Sequence, residues 1–206
     1  MGKLEDRKNV VQIIQRAANA YKRNLVGRRF LYVFDGRFIE VLYKADNFRH
    51  LTGVDTTLSA RRFYQYAVSG KLSASQIFFS HTHPYDLCIK KLKHIEQIAG
   101  LAGTECFMLE EIRTSTTMYK FGTTNLNFSL CLNKEYDESG NEKSECYIVQ
   151  SLRDEDCFSK SKGVYTVTHI LSRANDEKKY NTALYAETDL KALPEFIRTM
   201  ICERLL

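Results

Sequence analysis

The sequence predicts an α+β fold in which N-terminal and middle helices pack on a mainly antiparallel β-sheet, with a further helix at the C-terminus. Three observations carry this expectation. Apolar residues recur at helical spacing up to about residue 100, the spacing changes to period two from Glu105 onward, and two β-favouring runs flank Asp35-Gly36. The 206 residues are 44% apolar and 27% charged, with only 2 Pro and 10 Gly, which excludes collagen-like and proline-rich linker architectures.

Each element follows from local pattern. Val10, Ile14, Ala17, Tyr21 and Leu25 lie on one helical face before Gly27, a suitable stop. Arg29 to Phe34 and Arg37 to Tyr43 then form a hairpin around Asp35-Gly36. Asp46 is placed to cap a turn through Phe48 and Leu51 that ends at Gly53. Ser59 caps a segment ending at Gly70, and Ser73 starts another turn. Residues 86–100 read as one helix carrying Leu87, Leu92, Ile95 and Ile98. Strands follow at 105–113, 115–121, 126–134, 144–151, 164–173 and 180–187, and a last helix is expected over 189–206 with Pro194 near its start. No linker interrupts the chain. One domain over 1–206 is therefore expected, with a core at 28–187 and flanking helices at 5–26 and 189–206.

Lys plus Arg number 30 and Asp plus Glu 25, so the net charge is 30 − 25 = +5, which permits a polyanionic partner. No apolar run reaches the ~18 residues of a spanning helix. The first residues lack a secretory hydrophobic core, and Asp6 stands where myristoylation of Gly2 would want Ser or Thr. A soluble, cytoplasmic protein with no membrane partner is expected. The six cysteines are scattered without a C-x-x-C pair, as for reduced thiols.

The loudest motif is Ser80-His81-Thr82-His83-Pro84, which resembles the paired zinc ligands of JAMM-type metalloproteases. The Ser and Asp that complete that pattern are replaced by Lys91 and His94. A polar turn before a helix is the commoner meaning; a zinc hydrolase using His81, His83 and His94 is one alternative function, and a non-catalytic nucleic-acid- or protein-binding module is another. Nucleophile elbows, Walker loops and dinucleotide glycine loops are absent from the sequence.

A quieter set of residues suits metal-free RNA cleavage, which needs a base, a cation on the phosphate and an acid for the leaving oxygen. Phe48-Arg49-His50-Leu51-Thr52-Gly53 offers one His between apolar anchors. Far downstream come Ser151-Leu152-Arg153, Ile170-Leu171-Ser172-Arg173 and Lys178-Lys179-Tyr180.

Asp46-Asn47-Phe48-Arg49-His50-Leu51-Thr52-Gly53-Val54 resembles the N-F-x-H-L-x-G signature of the phage and mobile-element group of the barnase–EndoU–colicin–RelE-like (BECR) nucleases, its fourth phage-type subfamily. Phe63-Tyr64 with Gly70-Lys71-Leu72 is similar to that group's F-Y…G-K-(I/L) helix, and the downstream Ser151-Leu152 and Ser172-Arg173…Lys179-Tyr180 to its closing strands. The likeness covers roughly residues 28 to 187. It implies an RNase or DNase effector with a helix-plus-antiparallel-sheet core and no metal or other cofactor; a phage or mobile-element effector acting on RNA rather than DNA is the expectation. An inhibitor or antitoxin protein is a further implied partner. On this resemblance His50 is the general base or acid, Arg173 holds the phosphate, and Ser151 or Ser172 orients the substrate. Arg49, Arg153, Lys160, Lys162, Lys179 and Tyr180 contact the nucleic acid.

Overall fold

The computed structural model describes residues 3–206; Met1 and Gly2, with the myristoylation question, lie outside them. The chain opens with α1 (Lys3–Asn24), whose predicted face of Val10, Ile14, Ala17, Tyr21 and Leu25 is buried. The hairpin of β1 (Arg28–Phe34) and β2 (Arg37–Leu42) follows, turning at Asp35 and Gly36, both with positive φ. A turn at Ala45–Asn47 leads into α2 (Phe48–Thr52), β3 (Asp55–Thr56) and α3 (Ala60–Val68). Ser59 caps α3 as expected, accepting from the Arg62 N–H, and Ser73 with Gln76 forms a capping box at the next turn. Asp46 does not cap: it sits exposed inside the first turn.

The segment expected as one helix over 86–100 is two. After β4 (Ile77–Phe78), which pairs with β3, Pro84 precedes α4 (Tyr85–Ile95), and α5 (Ile98–Leu101) follows a break at Glu96-Gln97. The strands then run β5 (Phe107–Arg113), β6 (Met118–Thr124), β7 (Ser129–Asn133), β8 (Tyr147–Arg153), β9 (Gly163–Ala174) and β10 (Thr182–Ala186). The expected C-terminal helix is replaced by short turns at Leu190–Ala192 and Glu203–Leu205 around α6 (Glu195–Arg198), which begins just after Pro194. These pieces lay Leu190, Leu193, Ile197 and Ile201 on Leu31, Val33 and Leu171 of β1 and β9.

The larger correction concerns the sheet. It is not a layer with helices on it but a closed, seven-stranded mixed barrel, ordered β1-β2-β8-β7-β6-β5-β9 and back to β1, with β10 as an extra strand on β9. Six helices accompany it among the described residues. The β2–β8 contact is parallel and the other strand pairs are antiparallel. Closure depends on the length of β9, whose residues 163–166 pair with β5 while 167–174 pair with β1. A bulge where Phe34 meets Val167 bends the junction.

Aromatic rings fill the lumen. Phe34 of β1 meets Phe121 of β6 at 6.0 Å and Tyr165 of β9 at 5.8 Å, while Phe121 meets Tyr147 of β8 at 4.9 Å. Strands β1 and β6 are not neighbours in the barrel order, so these contacts cross its interior. Arg37 lies over Phe34 and Tyr165, 4.8 Å from each ring, and bonds Glu110 at 2.9 Å. The same apolar core runs on into α1 to α5 through Tyr21, Phe48, Phe63 and Leu92.

Candidate functional site

Helix α2 is short, and its sequence decides which side chains face out. Phe48 and Leu51 are buried, so Arg49 and His50 between them are turned toward the surface. Gly53 ends the helix at φ 72°, a conformation that suits glycine. Two bonds fix the helix in place: Asn47 donates to the Val149 carbonyl of β8 at 3.1 Å, and the Cys88 thiol of α4 donates to the Gly53 carbonyl at 2.8 Å. A side chain at Gly53 would also meet Lys91, because an added Cβ would lie 2.9 Å from its Cδ.

Lys91 is the residue that sequence reasoning did not assign a role. It projects from α4 across Gly53, and its ammonium donates to the His50 carbonyl at 3.4 Å. Burial and the nearby Arg153 guanidinium hold its pKa below the usual lysine value. His50 is held below the ordinary histidine value by partial desolvation, then by Arg49, Lys91 and His83. Arg153 ends β8, two positions after Ser151 on the same side of the strand; Ser151 stands opposite Cys131 and Arg153 opposite Ser129. The Arg153 guanidinium lies against the Tyr119 hydroxyl and the Cys131 and Cys157 thiols, with its Nε buried and unpartnered. The only hint of Lys91 in the sequence was its place three residues after Cys88 and beside Leu92, both buried on α4.

The carboxylates bordering this cluster are engaged with histidines. Asp55 bonds His83 Nδ1 at 2.9 Å, and Asp154 bonds His94 Nε2 at 2.6 Å, with the His94 ring stacked on Phe128 at 5.0 Å. Among the described residues, no carboxylate lies within ion-pairing distance of Arg49, Lys91 or Arg153. His50 thus sits among unneutralised cations. Such a locus attracts a phosphate and stabilises charge developing on it.

The remaining sequence candidates lie elsewhere. Ser172 and Arg173 project from opposite faces of β9. Ser172 is fully buried and accepts from Arg28 at 2.7 Å. Arg173, 9% exposed, donates to the Glu177 carbonyl, lies 3.8 Å from Glu40, and stacks over Tyr180 at 5.3 Å. Tyr180 is itself buried and donates its hydroxyl to Glu40. Lys160 pairs with Glu155, Lys162 lies 3.5 Å from Glu111, and Lys179 is exposed in the β9–β10 connection. His81 is exposed in the Ser80–His83 turn, while His83 and His94 each hold a carboxylate. Among the described residues, no three His, Cys, Asp or Glu side chains gather as a metal-ligand set.

The family model for phage-Barnase-EndoU-ColicinE5/D-RelE like nuclease4 matches residues 13–189. The chain belongs to this family. The match contains every residue of the His50 cluster and begins inside α1, upstream of residue 28 where the sequence likeness started. Comparison with curated proteins and with solved structures found no match. Membership in a BECR-type nuclease family implies nucleic-acid binding. Among the described residues, no helix is long and apolar enough to cross a membrane.

Proposed function

We propose that the chain is a metal-independent endoribonuclease, an effector of a phage or mobile element, working at the junction of α2, α4 and β8. The observation that carries this reading is Arg49 and Lys91 beside His50, with Arg153 next to Lys91 and no carboxylate pairing the three cations. A donor set this cationic repels a divalent ion and draws in a phosphodiester. Where no metal activates water, the nucleophile at hand is the substrate's own 2′-hydroxyl, which RNA has and DNA lacks.

In this reading neutral His50 takes the 2′-hydroxyl proton as the oxygen attacks the adjacent phosphorus. Arg153 and Arg49 hold the phosphate oxygens that gain charge, and the Ser151 hydroxyl bonds a third. Lys91, acidified by burial beside Arg153, gives its proton to the leaving 5′-oxygen. The products are a 2′,3′-cyclic phosphate and a 5′-hydroxyl. The same exposed cations suit an acidic inhibitor protein, and the chain would act in the cytoplasm. The test is cleavage of single-stranded RNA and DNA in EDTA, with the 3′ ends analysed. Chelator-resistant, RNA-restricted cleavage leaving cyclic phosphate supports the proposal; cleavage abolished by EDTA, or equal on DNA, overturns it.

A further inference from the structure

Phe78, Tyr85 and Leu87 are large apolar side chains left exposed within ten positions of one another, at 39%, 38% and 40%. In sequence they flank the Ser80–His83 turn. Beside them lies a pocket of about 380 Å³ lined by Asp6, Arg7, Phe79, Ser80, Pro84 and Tyr85. Its two rings, Phe79 and Tyr85, stand 5.0 Å apart at 85°. Phe79 packs against the main core, and the turn is closed by the Ser80 N–H to His83 carbonyl bond at 3.1 Å, so the pocket is built on ordered elements. Arg7 Nε is buried there without a hydrogen-bond partner, and the Asp6 carboxylate is exposed.

We propose that this pocket holds an unpaired base of a single-stranded nucleic acid, one flanking the scissile phosphate. The proposal rests on the nuclease reading above. One ring offers a face for stacking and the other an edge, a geometry that grips a planar heterocycle. The unsatisfied Arg7 donor meets a base acceptor or the adjoining phosphate, and Asp6 accepts from an exocyclic amine. Continuity with the cation cluster runs through one turn. The residues after Ser80 lead to His83, which bonds Asp55 and lies close enough to His50 to influence its titration. A duplex cannot fill the pocket, since its bases are already stacked and paired.

The experiment measures fluorescence anisotropy of a short labelled single-stranded RNA, the same sequence as DNA, and its duplex, on full-length protein carrying His50→Ala to prevent turnover. Adding Tyr85→Ala is expected to weaken binding of both single strands about tenfold, since stacking does not use the 2′-hydroxyl. Duplex binding should change less than about twofold. Tyr85→Trp should restore single-strand affinity, and Arg7→Gln, a second route should Tyr85→Ala misfold, should weaken it and lessen its salt dependence. Single-strand affinity unchanged by both Tyr85→Ala and Arg7→Gln, or equal loss on duplex, overturns the proposal. Cleavage by the parent chain, assayed separately, distinguishes the two failures. His50-dependent cleavage with Tyr85-independent binding removes the pocket alone, whereas Tyr85-dependent binding without cleavage keeps the pocket and removes the reading beneath it.

Discussion

Two clusters of cations on this molecule differ in one respect, and the difference separates scaffold from site. Around Glu40 of β2 gather Arg29 at 3.2 Å, Arg173 at 3.8 Å and the Tyr180 hydroxyl, so one carboxylate draws together β1, β9 and the segment before β10. Beside His50 of α2 lie Arg49 and Lys91, with Arg153 next to Lys91, while Asp55 and Asp154 are turned to His83 and His94. The first cluster is built around a carboxylate that both its arginines share, and it is mostly buried. The second has no carboxylate on its cations. Paired cations fasten strands; unpaired cations await an anion.

Four measurements break or sharpen this contrast. The largest effect is expected from His50→Ala, which should lower the RNA-cleavage rate on the order of 10³-fold while leaving thermal stability within a few degrees. Undiminished cleavage would return the site to another part of the barrel. Next, Glu40→Ala should cost about 3 kcal/mol in urea unfolding, because it strands Arg29 and Arg173 without their carboxylate. Cleavage per folded molecule should stay near the parent value, and a stable variant that has lost cleavage would erase the distinction between the clusters.

Lys91→Met should reduce cleavage about a hundredfold with stability unchanged or raised, since a buried charge facing Arg153 is removed. A marked loss of stability would mark Lys91 as structural. The smallest effect concerns pH. The folded-state pKa of His50 is depressed, so between that value and the ordinary one of about 6.5 the unfolded chain binds more protons. Stability therefore rises with pH through this window, and the His50 contribution is lost as pH falls through it and is level outside it. The acid limb of cleavage, which requires neutral His50, should lie below about pH 6.5, and Arg49→Gln should move it upward by a fraction of a unit. A limb unmoved by this substitution would mean that Arg49 does not act on His50.

Much of the local structure was legible in the residues. The face of α1, the Asp35-Gly36 hairpin, the Ser59 cap and the Gly53 stop follow from propensity and spacing, and so does the outward turn of Arg49 and His50 between Phe48 and Leu51. Alternation along a strand likewise puts Ser172 and Arg173 on opposite faces of β9. The break at Glu96-Gln97 and the division of residues 189–206 into short turns were not legible, because helical periodicity continues across both.

The sequence by itself determined the periods, the turns and the family, because these reside in residues close together in the chain or in short motifs. Tertiary structure alone decided that the strands close into a barrel, because alternation along a strand is the same in an open sheet and a closed one. Closure rests on which edge β9 offers to β1 and β5. It also decided which cations meet a carboxylate. Glu40 and Arg173 lie on β2 and β9, strands held together by β1 between them, while Lys91 reaches His50 only because α4 hangs from Gly53. Ion pairing depends on distances of a few ångströms between segments far apart in sequence. No local pattern records them.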